Sequence, residues 1–254
     1  MMATIATTMV YPAKGLHGID TSIRGLVVDP SYGVLGDRTY AFYRKTDALP
    51  MEWRPKGQFF ECMNTEGMAR PHDLTEDDLD SQFRVSHDQI AQIISARNLD
   101  IPMISLVDTG GIWHLADTSK PCVSFLNLAS VRDLSEYMNV YVDPRRFRMN
   151  AWVEGMRPWA ELDYIQGFEQ GPQYPMTTGD LTLCIDDLCE RCRATHQNPL
   201  SGLWDLDILS ALEALLKEQG YRGSPHRGVW KVMGWLAIPQ SNGRIRVGDQ
   251  VVFG

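Results

Sequence analysis

Cys189 and Cys192, in the segment CERCRATHQNPLSG (189–202), are the residues whose type and spacing point most directly to chemistry. A Cys-x-x-Cys pair has three chemical readings. As half of a zinc site it needs two further ligands, and the chain has no second Cys-x-x-Cys and no His-x₃₋₅-His. As a dithiol redox pair it normally opens the helix of a thioredoxin-type βαβ unit, and no such unit is legible around it. The third reading is a thiolate beside Arg191 and Arg193, whose charges would lower its pKa and suit it as nucleophile or soft-metal ligand. The plain alternative is two ordinary thiols, one of them buried.

A second constellation is basic. Arg145, Arg146 and Arg148 crowd into DPRRFRMN (143–150) of an otherwise acidic chain. Read as a strand, this segment puts Arg146 and Arg148 on one face and Arg145 on the other. Two guanidinium groups on one face could grip a phosphate or carboxylate bidentately; the plain alternative is a charged strand edge that discourages aggregation. Lys14 lies in the Pro- and Gly-bounded loop YPAKGLHG (11–18), and Arg38 follows Gly36-Asp37. Neither belongs to a phosphate-binding Gly-x₄-Gly-Lys-Ser/Thr loop, and each alone reads as a surface charge.

Other sites are thinly represented. The remaining histidines (17, 72, 87, 114, 226) have no ligand spacing, and no Gly-x-Ser-x-Gly elbow occurs. The acidic run Glu76, Asp77, Asp78 and Asp80 lacks the glycine and terminal glutamate of a calcium loop, and reads as solvated.

These groups sit in a chain of 254 residues, 44% hydrophobic, with a formal charge of −8. The sign is wrong for holding a nucleic-acid backbone, so no nucleic-acid partner is expected. No stretch approaches the roughly 20 apolar residues of a membrane span, and the N-terminus has no basic leader. Five cysteines in irregular positions do not make a disulfide framework. A cytoplasmic protein without membrane association is expected.

The elements that must position the candidate residues are mostly strands. The N-terminal stretch alternates apolar residues with threonines; 21–28, 38–44 and 59–64 are rich in β-branched and aromatic residues; 101–108 and 112–117 flank a Thr-Gly-Gly hairpin signal at 109–111. The polar segment 69–84 reads as a solvated excursion. Leu128, Val131, Leu134, Tyr137 and Met138 recur at helical spacing, and 205–220 forms the clearest helix, with Ile208, Leu212, Leu215 and Leu216 as its stripe and Gly220 as its stop. Segment 147–155 reads as strand, and the tail as strands around a type I′ turn at Asn242-Gly243. The fold class is mostly β with a few helices (α+β), for which a barrel that closes its own edges is economical. A β-rich part (1–120) and a mixed part (121–254) are the expected subdivisions.

In order along the chain, these pieces resemble the MOSC family, the domain found at the C-termini of molybdenum cofactor sulfurases, in amidoxime-reducing components and in bacterial N-hydroxyl reductases. YPAKGLHGI is similar to the family's Tyr-Pro-x-Lys loop, Asp37-Arg38 to its Gly-Asp-Arg strand entry, and SFLNLASVRDL to its first helix opening. RFRMN (146–150) resembles Arg-Phe-Arg-x-Asn, CERCRATHQNPLSG its Arg-Cys-x-x-Thr signature, and GRIRVGDQVVF its closing Gly-Asp-x-Val element. The resemblance implies a MOSC-type β-barrel core and a Mo-pyranopterin molybdenum cofactor. Cys192 aligns with the metal ligand; Lys14, Arg38, Arg148 and Asn150 would hold the pterin and its phosphate; Arg191 and Thr195 would line the pocket beside the metal. Three positions depart from the pattern: Gly15 stands where serine follows the lysine, Met149 where proline is usual, and Asn198 where aspartate is usual.

The activity this resemblance implies is removal of oxygen from a small N-hydroxylated substrate, released as water with two electrons and two protons. The chain has neither a ferredoxin cysteine run nor a dinucleotide fingerprint, so a separate electron-donor protein of ferredoxin or flavin-reductase type is expected. Two rivals stand beside it: a sulfur carrier with a persulfide on Cys192, and a carrier of the cofactor that catalyses nothing.

Overall fold

The computed structural model describes residues 2–42, 75–79, 88–89, 91–92, 103–105, 118–166, 174–221 and 230–254. Leu181, Leu183 and Ile185 occupy alternate positions of one long strand, and all three are buried while the residues between them face outward. That period of two is the mark of a sheet with one face on a core. The strand, Leu181–Glu190, is the tenth in chain order. Before it come β1 (Ala3–Val10), β2 (Ile19–Asp20), β3 (Leu26–Asp29), β4 (Gly33–Val34), β5 (Tyr40–Phe42), β6 (Met103–Ser105), β7 (Val123–Asn127), β8 (Ala151–Glu154) and β9 (Tyr174–Thr178). It is β10 itself, and β11 (Val232–Pro239), β12 (Gly243–Ile245) and β13 (Gln250–Phe253) follow it.

Seven strands run β13-β9-β10-β11-β7-β8-β1, and β1 pairs back onto β13 through Ala3↔Val251 to close a barrel. Closure leaves no unpaired edge within the ring. The β7–β8 pairing is parallel, Phe125 opposite Ala151, and the others are antiparallel. Inside, Phe125 stacks on Trp235 with ring centroids 5.3 Å apart. The family expectation of a mostly β barrel with a few helices therefore holds.

A parallel pair needs a crossover, and helix α1 (Leu128–Met138) lies within it. The Asn127 side chain caps its start by accepting from the Ala129 amide, and Asn139 ends it in the left-handed region at φ 50°. Helix α2 spans Ala160–Gln166, and α3 spans Ile208–Glu218. In α3 the four residues of the predicted stripe are the buried ones, Asp207 caps the first turn, and Gly220 lies beyond the end at φ 76°. No helix among the described residues is long and apolar enough to cross a membrane.

Three expectations are corrected. Segment 147–155 is not one strand. Pro144–Phe147 is a 3-10 turn, Arg148 is left-handed at φ 53°, and β8 begins only at Ala151. Proline at the head of that turn and the Asp143 side chain bonded to the Arg145 amide favour the turn over extension. The tail contains no β11–β12 hairpin: β12 pairs with β3, Gly243 opposite Val28, and neither Asn242 nor Gly243 has the positive φ of a type I′ turn. The expected strand at 21–28 is shortened because Gly25, at φ 75°, donates back to the Thr21 carbonyl and makes a turn before Leu26. The expected strand at 59–64 and the hairpin at 109–111 lie outside the described residues, as does the polar excursion apart from a short 3-10 turn at Glu76–Asp78.

Gly234 interrupts β11 with φ 76°, and a methyl group there would collide with the Phe125 carbonyl and lie 2.8 Å from Met149 Cε. Gly234→Ala is therefore expected to destabilise the barrel by about 1–3 kcal/mol from backbone strain, with the collision adding to it. A lowered urea midpoint with an unchanged slope is the expected result; an unchanged midpoint would mean that β11 shifts freely.

Candidate functional site

Arg146 reaches two other parts of the chain. Its guanidinium is buried, donates to the carbonyls of His196 (3.0 Å) and Thr195 (3.4 Å), and pairs with the Asp205 carboxylate at 2.7 Å. The short turn that follows Cys192, Arg193–His196, is thereby fastened to the turn at 144–147. Within it, Thr195 is buried and donates its hydroxyl to the Cys192 carbonyl at 2.9 Å. Thr195 thus sets the backbone that carries Cys192. The thiol of Cys192 packs against Ala194.

Arg148 points elsewhere. Its left-handed backbone turns the side chain over the Tyr11 ring, 4.6 Å from the centroid, and Nη2 is 3.5 Å from the Ala13 carbonyl. Arg38 lies 5.4 Å from the same ring and donates to the Arg148 carbonyl at 3.1 Å. Asp37 pairs with Arg38 and accepts from the Tyr11 amide at 2.7 Å, which holds the loop against the cluster. Lys14 is buried just after Ala13, its amide bonded to the Tyr40 carbonyl at 2.8 Å. Burial holds the Tyr11 phenol well above its ordinary value against the opposing pull of Arg148 and Arg38, so it stays a neutral donor, 3.4 Å from the Met149 carbonyl.

Arg191 completes the group from β10's end. Nη2 donates to the Phe147 carbonyl at 2.5 Å, and Nη1 lies 2.6 Å from Cys189 Sγ and 3.4 Å from Met149 Sδ. Arg38, Arg148 and Arg191 thus gather with Asp37 around the Tyr11 ring. Such a surplus of positive charge in an acidic chain is suited to a multiply charged anion. Cys122, near Arg38 and Cys189, does not add a ready thiolate: burial pushes its thiol up to about 12 despite Arg38.

Several site expectations change with this geometry. The three arginines of 145–148 do not form one clamp. Arg145 turns back onto Asp143, Arg146 is the buried pin, and Arg148 alone joins the cationic group. Asn150 does not face that group with its amide. Its Oδ1 accepts from Ser124 Oγ at 2.7 Å and Nδ2 donates to the Met9 carbonyl at 3.2 Å, which ties β7 to β1 inside the barrel. Of the two arginines expected beside Cys192, Arg191 contacts Cys189, and Arg193 lies over Trp204 at 4.4 Å. Sequence reasoning missed Tyr11 as the ring beneath two cations and Asp205 as the counter-charge of Arg146. Tyr11 stands in the quoted loop, but nothing in the sequence pairs position 205 with 146.

The departures from the family pattern have local reasons. Gly15 has φ 82°, a conformation in which serine would be strained. Asn198 accepts from the Leu200 amide at 2.8 Å and donates Nδ2 to Asp205 at 2.8 Å. Aspartate would accept the first bond, but would set its charge against Asp205 in place of the second. Among the described residues, no three His, Cys, Asp or Glu side chains gather as a metal cage, so the zinc reading of Cys189 and Cys192 gains no further ligands there.

Comparison with known proteins follows the same lines. A family model described as the MOSC domain matches residues 113–252. Curated protein sequences yield no match. Among solved structures, the YUAD protein from Bacillus subtilis is similar at 11% identity and a TM-score of 0.40, over 99% of this chain and 94% of that one. A hypothetical protein is similar at 15% identity and a TM-score of 0.30, over 52% and 50% of the two chains.

His196 gives the site a pH dependence. Burial lowers its pKa, Arg193 and Arg146 add to the effect, and Asp207 opposes it. Its Nε2 accepts from the Leu209 amide at 3.4 Å and lies 3.5 Å from Asp207 Oδ1, so the neutral ring caps α3 and protonation trades that bond for an ion pair. A folded pKa below the unfolded value of about 6.5 means stability that is full above that pH and lost as pH falls through the folded value. The wild-type urea midpoint should therefore fall more between pH 7 and pH 5 than that of His196→Gln. Parallel pH profiles would show that His196 does not carry the effect.

Proposed function

The chain belongs to the MOSC domain family, and on that premise we propose that it binds the molybdenum cofactor through Cys192 and reduces small N-hydroxylated compounds, taking electrons from a separate donor protein. The observation that carries this reading is the gathering of Arg38, Arg148 and Arg191 in a chain of charge −8, beside the segment to which the Cys192 turn is pinned.

The donor set fits the group. A cysteine thiolate is a soft ligand, suited to a metal already held by dithiolene sulfur. Guanidinium groups match the phosphate that ends the pterin, and Arg191 Nε is buried without an acceptor among the described residues. When bound, the cofactor supplies the two-electron chemistry. The chain's own residues do the rest. Arg38 and Arg148, steadied over Tyr11, bind the anionic end with Lys14. Thr195 and Arg146 fix the backbone on which Cys192 stands. Arg191, held by the Phe147 carbonyl, keeps its charge beside the cysteine pair. The electron donor is proposed to be of ferredoxin or flavin-reductase type.

Protein made in a host that assembles the cofactor should carry molybdenum, and should oxidise a reduced viologen dye only when an N-hydroxylated base or amidoxime is added. Cys192→Ala should abolish that turnover. Arg148→Glu should weaken cofactor retention by roughly 2–5 kcal/mol with an unchanged far-UV spectrum. Stoichiometric zinc in place of molybdenum, or a persulfide on Cys192 with no dye oxidation, would contradict the proposal.

A further inference from the structure

Among the described residues, the contacts of Arg191 are a carbonyl, two sulfurs and the Phe147 ring, with no carboxylate. A guanidinium drawn partly out of water requires compensating charge, and the Phe147 carbonyl supplies only a dipole. Cys189 Sγ, half-buried and 2.6 Å from Nη1, stands where the counter-charge belongs. The local backbone allows the meeting: Cys189 lies where the register of β10 to β11 shifts between Leu188 and Glu190, and Arg191 follows the strand's end with its amide donating to the Lys231 carbonyl at 2.7 Å.

The other described thiols have different surroundings. Cys192 packs against Ala194, Cys184 lies near Asp186, and Cys122 has the raised pKa given above. Cys189 and Cys192 are not joined by a disulfide.

We propose that Cys189 and Arg191 form a thiolate–guanidinium pair, which makes Cys189 a modification site for soft electrophiles of the α,β-unsaturated carbonyl class. The thiolate attacks the β-carbon and forms a C–S bond. The alkene electron pair moves onto the carbonyl as an enolate, and the α-carbon then takes a proton from water. The adduct removes Arg191's counter-charge and displaces the guanidinium from Met149 and Phe147. Loss of cofactor loading on modification rests on the function proposed above; the pairing itself does not.

The test uses the full chain made without cofactor, limiting N-ethylmaleimide at pH 7, and peptide mass spectrometry. Cys189 should be labelled about ten-fold faster than Cys192 or Cys184, and Arg191→Met should slow Cys189 by a similar factor while leaving Cys184 unchanged. A second readout needs no variant: the pH profile of Cys189 labelling in the wild type should have its midpoint below the free-thiol value of about 8.5. Faster labelling of Cys192, an Arg191→Met rate equal to wild type, or a midpoint at the free-thiol value would each overturn the pairing. Because no molybdenum is involved, these results stand whether or not the cofactor reading does.

Discussion

A buried guanidinium seeks acceptors, and at Arg146 the two terminal nitrogens find them in parts of the chain that sequence keeps about fifty residues apart. Its bonds to the Thr195 and His196 carbonyls and to Asp205 decide where the Cys192 turn sits. The turn is also tied to α3 through His196 and to Trp204 through Arg193, while Arg146 joins it to the segment at 144–150. Everything proposed for the site depends on this fastening, because the same short segment, 144–150, also carries Arg148 into the cationic group and Asn150 into the barrel.

The segment can serve three directions because it is not a strand. A 3-10 turn followed by one left-handed residue sends successive side chains toward the cysteine turn, toward Tyr11 and toward β1. Arg148 adopts a conformation that costs a non-glycine residue free energy, and such strain persists only where the surroundings over-determine it. Here they do: Tyr11, Ala13 and Arg38 all contact Arg148. Gly234 belongs to the same arrangement, since its lack of a side chain leaves room for Met149 under Arg191.

The fold was legible wherever one residue period dominated. The α3 stripe follows from burial on one side and appears as read; the N-terminal strand forms, but a register shift between Ile5 and Thr7 breaks its alternation, and Thr8, Met9 and Val10 are all buried. The errors fell where local chemistry overrides period. Arg145, Arg146 and Arg148 look like one clamp in a strand reading, but Pro144 and the Asp143 cap turn the backbone and separate them. Asn242-Gly243 carries a strong turn signal, yet β12 is claimed by β3, a pairing across more than two hundred residues that no local pattern announces. At the site, residue types were readable and partners were not. Cys189 and Arg191 stand two positions apart in plain view, but their contact depends on the register shift at β10's end, which no local pattern announces.

The central claim is that Arg146 holds the cysteine turn in place, and hydrogen exchange on that turn tests it most directly. Arg146→Met keeps much of the side-chain volume while removing every donor. The account predicts that the Thr195 and Gln197 amides, bonded to the Cys192 and Ala194 carbonyls, exchange about ten-fold faster or more in the variant, while amides of the β10–β11 ladder keep their protection. Unchanged exchange at Thr195 and Gln197 in a folded Arg146→Met protein would contradict it.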